Sequence, residues 1–442
     1  MTDHPRQMHF GLFLQGAGHH VAGWRMPGAE TGSEDFAHML KVTRIAEDAK
    51  FDMVFLADGL TTQATAHPSM VARLEPLTLL SALAVATSRI GLAATASTTY
   101  GEPFHTARVF SSLDHLSGGR AAWNVVTTSY ARSAANFGKA HPEHDARYDI
   151  AQEYVDVVKG LWDSWEDGAY VRDTQTGTYV DAAKMHELDH VGTYFSVKGP
   201  LNTTRSPQGH PVIIQAGSSA PGQELAARTA DIVFTAQQSL EAAVEFSRGL
   251  KARMEKYGRH PQDLFVMPGV FILIGDTQAE ADAKLAQLQS WTDPREAYPL
   301  LNDRLGHDVS GYDIDGPLPD LPISDQLRSR AELLINLARA RNLTIRQLLN
   351  LVGAARGHLM LVGTPEYVAD ELEKWFRAGA ADGFNIMPPW FPQPLQDFAQ
   401  KVIPILQARG LFRTEYQGTT LRDHLGLERP ANTLSAAQTV DA

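Results

Sequence analysis

Short apolar runs alternating with amphipathic segments of helical period are the feature that most restricts what this chain can fold into. Such a run, bounded by turn signals, fits a strand covered on both faces, and strands of that kind belong to parallel sheets flanked by helices. Eight of them occur: Met8–Leu14, Phe51–Ala57, Arg89–Ala96, Arg120–Val126, Pro211–Ala216, Asp231–Thr235, Phe265–Ile274 and Gly383–Met387. Most are followed by a helical pattern. Phe36, Leu40, Ile45 and Ala49 recur at helical spacing behind Ser33 as an N-cap, and Pro76–Thr87 and Pro103–Leu116 follow the next two runs. Further helices are expected over Asp149–Trp165, Gly222–Thr229, Ser239–Tyr257, from Thr277 and Glu280 onward, from Thr364-Pro365 to Ala378, and over Leu395–Arg409. One closed (β/α)8 TIM barrel spanning residues 1–442 explains this count better than two dinucleotide-binding halves.

The rhythm breaks in three places. Residues 129–150 are polar and irregular, 169–199 alternate aromatic and polar residues as a β-hairpin excursion would, and 291–357 begin Pro- and Asp-rich and turn helical from about 325. All three read as insertions in the barrel. The chain from about 410 to 442 reads as a C-terminal tail, loosely ordered beyond about 426.

Composition narrows the chemistry. With no cysteine, disulfides, thiolate nucleophiles, iron–sulfur clusters and Cys-based zinc sites are excluded. The formal charge, 39 − 51 = −12, argues against nucleic acid or an anionic membrane surface as the main partner. The residues Met1 to Gln7 are polar, no signal-type apolar run follows, and no apolar stretch approaches the ~20 residues needed to span a bilayer. A cytoplasmic enzyme is the expectation.

In a barrel of this kind the active site gathers at the C-terminal ends of the strands. Those ends are polar here. The first strand runs into Gln15-Gly-Ala-Gly-His19-His20, the second ends in Asp58, the third in Thr95 to Tyr100, the fourth carries Asn124 and leaves through Thr127-Thr128-Ser129, and the fifth ends in Gln215 to Ser219. Together they describe a pocket for a polar ligand with many hydrogen-bonding groups. Asp58 has the alternative role of capping the next element. Gly217-Ser218-Ser219, between strand and helix, suits a phosphate or a plain N-cap. Asn124 inside an apolar strand needs partners, either a ligand or core neighbours. His19-His20 are either loop packing or a group that binds or polarises oxygen or substrate. Arg25, Arg73 and Arg172 fall in expected loops, where they meet a carboxylate or simply water. His186-Glu-Leu-Asp-His190 matches a zinc-protease pattern that requires a helix. Val191-Gly192 and the extended run after it argue against one, so no metal site is expected.

Several stretches in combination carry a family resemblance. They are His9–Gln15 with Gly18–Trp24, Phe51–Asp58, Ala94–Tyr100, Leu113–Thr127, His144–Tyr148, Gly199–Leu201, Gln215–Ser219 and Gly383–Pro389. From about residue 8 to 426 the chain resembles the nitrilotriacetate monooxygenase component A group of the bacterial-luciferase-like flavin monooxygenases, which also holds dibenzothiophene-sulfone, EDTA and long-chain-alkane monooxygenases.

The resemblance implies a luciferase-type barrel and a homodimer or homotetramer. It also implies FMN used as FMNH2, which a separate NAD(P)H:FMN reductase supplies; no strand–GxGxxG–helix unit for a built-in NAD(P)H site occurs in the sequence. Oxygen and a small organic substrate would be the reactants, with C–N or C–S cleavage of an aminopolycarboxylate, a sulfone or an S-substituted cysteine. Asp58, Thr95 and Asn124 would meet the flavin ring, and His144, Tyr148, Gly217, Ser218 and Ser219 its phosphate end. His19, Ser129 and Tyr100 would shape the oxygen and substrate side, and the insertions 129–150 and 291–357 would act as lids. Two alternatives stand beside this reading: an F420-dependent oxidoreductase on the same barrel, and a non-catalytic flavin-binding protein.

Overall fold

Every residue of the first strand, His9–Phe13 (β1), is buried, as a strand covered on both faces requires. On one edge it pairs in parallel with Met53–Leu56 (β2), Gly11 lying opposite Met53. Parallel pairing continues through Gly91–Ser97 (β3), Ala121–Val126 (β4), Val212–Gln215 (β5), Ile232–Thr235 (β6), Phe265–Ile274 (β7) and Gly383–Met387 (β8). β8 then meets the free edge of β1, with His9 opposite Gly383, and the sheet closes. This computed structural model, which describes residues 6–64, 66–321 and 328–437, is thus the eight-stranded parallel barrel that the strand count implies.

Side chains alternate across each strand. Phe13, Phe55, Ala93, Ala122, Ile214 and Met387 fill the inside, while Phe10, Leu12, Val54, Leu92, Trp123 and Ile213 pack outward beneath the helices. Those helices are Phe36–Asp48 (α1), Pro76–Ala86 (α2), Pro103–Ser117 (α3), His144–Trp162 (α4), Ala220–Thr229 (α5), Leu240–Arg253 (α6) and Gln278–Ser290 (α7). The cap of α1 is Asp35, not Ser33: its carboxylate accepts from the amides of Ala37 and His38 at 2.9 and 3.4 Å. A carboxylate also suits the positive end of the helix better than a hydroxyl. α4 begins at His144, five residues before the expected Asp149. Its early buried positions are Arg147 and Ala151, so the first turns carry no apolar period to read.

A strand absent from the sequence reading, Leu359–Gly363, pairs in parallel with the upper half of β7, Val270–Ile274. It continues the edge that β6 occupies only as far as Pro268. Before it, Pro294–Leu305 (α8), Arg328–Ala340 (α9) and Ile345–Ala355 (α10) pack on one another through Leu301, Leu305, Leu334, Leu348 and Val352, giving the third insertion a small core of its own. After it comes Pro365–Arg377 (α11), opened by the expected Thr364 cap. In the 169–199 excursion the expected hairpin appears as an antiparallel bridge between Tyr170 and Val180 and a two-residue ladder, His190–Val191 against Ser196–Val197.

The chain beyond residue 410 closes the barrel floor. Leu421 and Leu425 enter the inner core beside Met53 and Ile232. Arg413 reaches the fully buried Asp52, which also accepts from His9 Nδ1 at 3.0 Å and the Phe10 amide at 2.7 Å. Burial pushes the Asp52 carboxyl up, but Arg413 and His9 outweigh it and hold the group below the usual carboxylate range. Arg422 pairs with Asp231 at 2.9 Å, and Asn432 donates to the carbonyls of Asp163 and Trp165. The loose order expected beyond 426 therefore does not extend to the described residues up to 437; residues 438–442 lie outside them. The sequence hides this because the ties are single side chains in a stretch without period.

Arg413→Met leaves the Asp52 carboxylate buried without its cation, which typically costs about 3–5 kcal/mol. Urea unfolding at neutral pH should show that loss, and Asp52→Asn in the same chain should recover part of it. A change below about 1 kcal/mol would contradict the role given to this pair.

Candidate active site

Parity places the polar residues of the barrel interior. Ala93 and Ala122 point inward, so Thr95 and Asn124, two positions on, do so as well, and the two lie opposite each other in the β3–β4 register. Asn124 Nδ2 donates to Thr95 Oγ1 at 2.7 Å. Asn124 Oδ1 is buried with no partner. Asn385 on β8 repeats the pattern: its Oδ1 is also buried and unpartnered. A Cβ on Gly11 would fall 2.8 Å from that oxygen, so glycine on β1 is what makes room for the amide. Buried acceptors left unpaired are costly, and two of them in one interior mark a place built to meet donors from outside the chain.

Above this layer opens a cavity of about 770 Å³, within the roughly 300–1,000 Å³ typical of small-molecule and cofactor sites. Asp58, Thr95, Ser129, His144, Tyr148, Gly217, Ser218 and Ser219 all line it. Asn124 is not in the wall but is held just behind Thr95 by their hydrogen bond. Burial pushes the Asp58 carboxyl up, against the opposing pull of the Gly59 amide and of Arg73, whose Nε lies 3.6 Å from Asp58 Oδ1.

Wall residues to which the sequence reading gave no individual role include Ser97, Thr128 and Gln215, all within its polar strand ends, and Arg147. Thr128 has φ 40°, a conformation uncommon for a residue with a side chain. It is held there by Ser97 Oγ, 2.6 Å from its hydroxyl, and by Arg147, which donates to the Thr127 and Thr128 carbonyls at 3.2 and 3.0 Å. Arg147 is 3% exposed with Nε unpartnered. Its signal was present in the His144–Tyr148 stretch, one residue before Tyr148.

The β5 end forms a cradle. Ser219 is the N-cap of α5, accepting from the Gly222 amide at 3.3 Å and donating to Tyr148 Oη at 3.3 Å. Gln215 Oε1 accepts from the Gly217 amide at 2.6 Å and fixes the turn between them. A Cβ at Gly217 would fall 2.6 Å from Gln215 Nε2 and 3.0 Å from Gly222, so the turn demands glycine. The two readings of this segment, N-cap and anion seat, are compatible: the hydroxyl caps the helix while the helix N-terminus faces the cavity.

Besides Asn124, two sequence candidates do not line the cavity. Tyr100 bonds His141 Nδ1 at 2.8 Å and stacks on Phe137 at 4.8 Å. His19 is fully buried, with Nε2 2.8 Å from the Phe13 carbonyl and Nδ1 unpartnered. It belongs to a buried group with His20, His67 and Arg356. Burial first, and then the Arg356 charge, holds His19 and His67 well below the usual imidazole range. Burial alone pushes His20 down to about 3. Of the three loop arginines, Arg73 reaches the cavity wall, Arg25 donates to the Trp291 carbonyl at 3.0 Å, and Arg172 lies over the Tyr170 ring. His186 and His190 lie outside any helix and face Glu166 and Glu153 respectively, at 2.8 and 3.1 Å.

Known proteins resemble this chain over nearly its whole length. The sequence profile of the luciferase-like monooxygenase family matches residues 8–382. The N-acetyl-S-(2-succino)cysteine monooxygenase of Bacillus subtilis is 52% identical over 98% of this chain and 99% of its own length. Nitrilotriacetate monooxygenase component A of Aminobacter aminovorans is 49% identical over 97% and 98%. Among solved structures, the EDTA monooxygenase from Chelativorans sp. BNC1 superposes with a TM-score of 0.82 at 33% identity, covering 96% of this chain and 99% of that one.

The buried imidazoles fix a pH dependence. His20 binds a proton below about pH 3 when folded and below about 6.5 when unfolded, so between those values the unfolded chain holds more protons and acid favours it. Stability should be constant above pH 7.5 and fall on the way to pH 5, by roughly 2 kcal/mol from His20 alone. Denaturant titrations at the two pH values measure it, and His20→Asn, which keeps an acceptor for the Ala22 amide, should flatten the slope. Equal stability at both would contradict burial of a neutral imidazole.

Proposed function

The chain belongs to the luciferase-like monooxygenase family, and from that membership we propose that it is the oxygenating component of a two-component system that takes FMNH2 from a separate NAD(P)H:FMN reductase. The observation that carries the reading is the pairing of an anion seat at the start of α5 with unpartnered amide oxygens inside the barrel, bridged by one cavity. A reduced flavin fits both ends: its phosphate suits the helix N-terminus and its ring supplies N–H donors for buried carbonyls. When bound, the reduced flavin activates oxygen so that one atom enters the substrate and the other leaves as water.

The residues divide by position. Gly217, Ser218, Ser219, Tyr148 and His144 hold the phosphate end, and Arg147 adds positive charge beside them. Thr95, Asn124 and Asp58 meet the ring and its surroundings. Ser129 faces the substrate directly, whereas His19 and Tyr100, set back from the cavity, act by positioning the loops in front of them. The 129–150 segment contributes Ser129 to Tyr148 and the third insertion contributes Glu332 to the wall, and Tyr130 Oη donates to Asp303 of α8 at 3.1 Å, joining the two. Closing these segments would exclude water, which otherwise diverts activated oxygen to hydrogen peroxide.

The substrate is a small organic molecule cleaved at a C–N or C–S bond, bonds present in the compounds that two of the relatives are named for. The relatives favour oxygen transfer over F420-dependent hydride transfer and over a non-catalytic role. The name component A in one of them accords with a separate reductase. A homodimer or homotetramer in the cytoplasm completes the proposal; among the described residues no helix is long and apolar enough to cross a membrane.

Oxygen uptake with photoreduced FMN is the test. With N-acetyl-S-(2-succino)cysteine or nitrilotriacetate present, the hydrogen peroxide yield should fall as substrate is consumed; peroxide yield that no candidate lowers would contradict the proposal. Separately, Asn124→Leu should weaken FMN binding about tenfold, near 1.4 kcal/mol, by removing one buried hydrogen-bonding partner. Flavin fluorescence titration measures it, and unchanged affinity would remove Asn124 from the ring site.

A further inference from the structure

A buried guanidinium on the β1 side of the barrel mouth has no role in the chemistry described so far. Arg356 follows α10 in the left-handed region, with φ 51°. Side chains rarely adopt that conformation, and it persists only where the surroundings impose it. The residue is 7% exposed. Among the described residues its guanidinium makes one hydrogen bond, from Nη2 to Gln15 Oε1 at 2.7 Å, and its Nε has no partner. The formal charges that act on it are those of two other arginines, Arg304 and Arg73, and none of the described carboxylates pairs with it.

Guanidinium keeps its proton at neutral pH, and a buried cation among cations is costly unless an anion answers it. The nearby His19 and His67 are neutral imidazoles and supply no such charge. Among the described residues, then, nothing in the chain answers this charge, and an anionic ligand would.

Position selects which anion. Gln15 follows β1 and the cradle at Gly217–Ser219 follows β5, four strands away in a ring of eight, so the two stand on opposite sides of the mouth. A phosphate seated at α5 leaves the β1 side to the other reactant. Tyr130, a wall residue of the cavity, and Arg73, which holds Asp58 in that wall, are among the groups whose charge acts on Arg356. Neither Arg356 nor Gln15 is a wall residue, so the guanidinium stands behind the cavity wall, on the side away from the cradle.

We infer that Arg356, oriented by Gln15, is the specificity-determining anchor for a carboxylate of the substrate, so that the enzyme selects anionic thioethers or amines over neutral ones. The planar fork of arginine matches both oxygens of a carboxylate at once, which a lysine cannot reproduce. The inference rests on the proposed function only in assigning the cradle at α5 to the cofactor.

The test is calorimetric titration of the full chain with succinate and with dimethyl succinate, with and without saturating oxidised FMN, so that neither oxygen nor turnover enters. The wild type should bind succinate and bind the neutral ester at least tenfold more weakly. Arg356→Gln should lose at least tenfold in succinate affinity, Arg356→Lys should fall between, and FMN affinity should stay within twofold in both. Equal binding of succinate and its ester by the wild type, no succinate binding by the wild type, or undiminished succinate binding in Arg356→Gln would each overturn the inference. So would loss of FMN binding with succinate binding retained, which would give the guanidinium to the cofactor. Should Arg356→Gln not fold, Arg356→Lys and the comparison of succinate with its ester decide alone. A protein that binds succinate through Arg356 but consumes no oxygen with reduced FMN would separate failure of the proposed function from failure of this inference.

Discussion

The pairing of β8 with both β7 and β1 is the constraint on which the rest depends. Once it closes the sheet, all eight C-terminal strand ends share one rim, and residues hundreds of positions apart become neighbours. Closure also crowds the interior, so side-chain size there is decided across strands. Gly11 on β1 is small because the Asn385 amide on β8 occupies the space its Cβ would need. The two ends of the barrel then diverge. At the floor, buried charges are matched, Asp52 with Arg413 and Asp231 with Arg422. At the rim, Asn124 and Asn385 carry unanswered acceptors and Arg356 an unanswered charge. Buried charges paired at one end, with open acceptors and an open charge at the other, make the rim the end suited to ligands.

The wall of the cavity extends this division. Strand ends alone would leave the interior open to water. The segment after β4 and the helical insertion α8–α10 stand over the rim, joined by the Tyr130–Asp303 hydrogen bond, and the insertion has its own small core. An element with a separate core can move as a unit while the barrel stays rigid. That suits a reaction in which the activated oxygen must be kept from water until the substrate is in place.

Much of this was legible in the sequence, for identifiable reasons. Buried parallel strands write continuous apolar runs, and all eight barrel strands were found where such runs occur. Polar residues breaking those runs at their C-terminal ends marked Asp58, Thr95, Ser129 and Gly217 to Ser219, which share one cavity. What escaped was structure without a period. The first turns of α4 bury an arginine rather than an apolar residue, so the helix start and Arg147 were missed together. The strand Leu359–Gly363 is a short run between an insertion and a capped helix, too brief to separate from either. His19 and Tyr100 were placed near the chemistry by sequence proximity to β1 and β3, but their loops turn them into the protein. Arg356 gave no signal at all. Its meaning lies in what is absent around it, and only three dimensions reveal that.

The central claim is that one cavity seats a flavin with its phosphate at the start of α5 and its ring over Thr95 and Asn124. The most direct measurement is a crystal structure of the protein with FMN. The account predicts phosphate density against Ser218 and Ser219, ring density within hydrogen-bonding distance of the Asn124 side chain, and the Arg356 side of the cavity left free. Density for FMN with its phosphate at Arg356, or its ring away from β3 and β4, would contradict it.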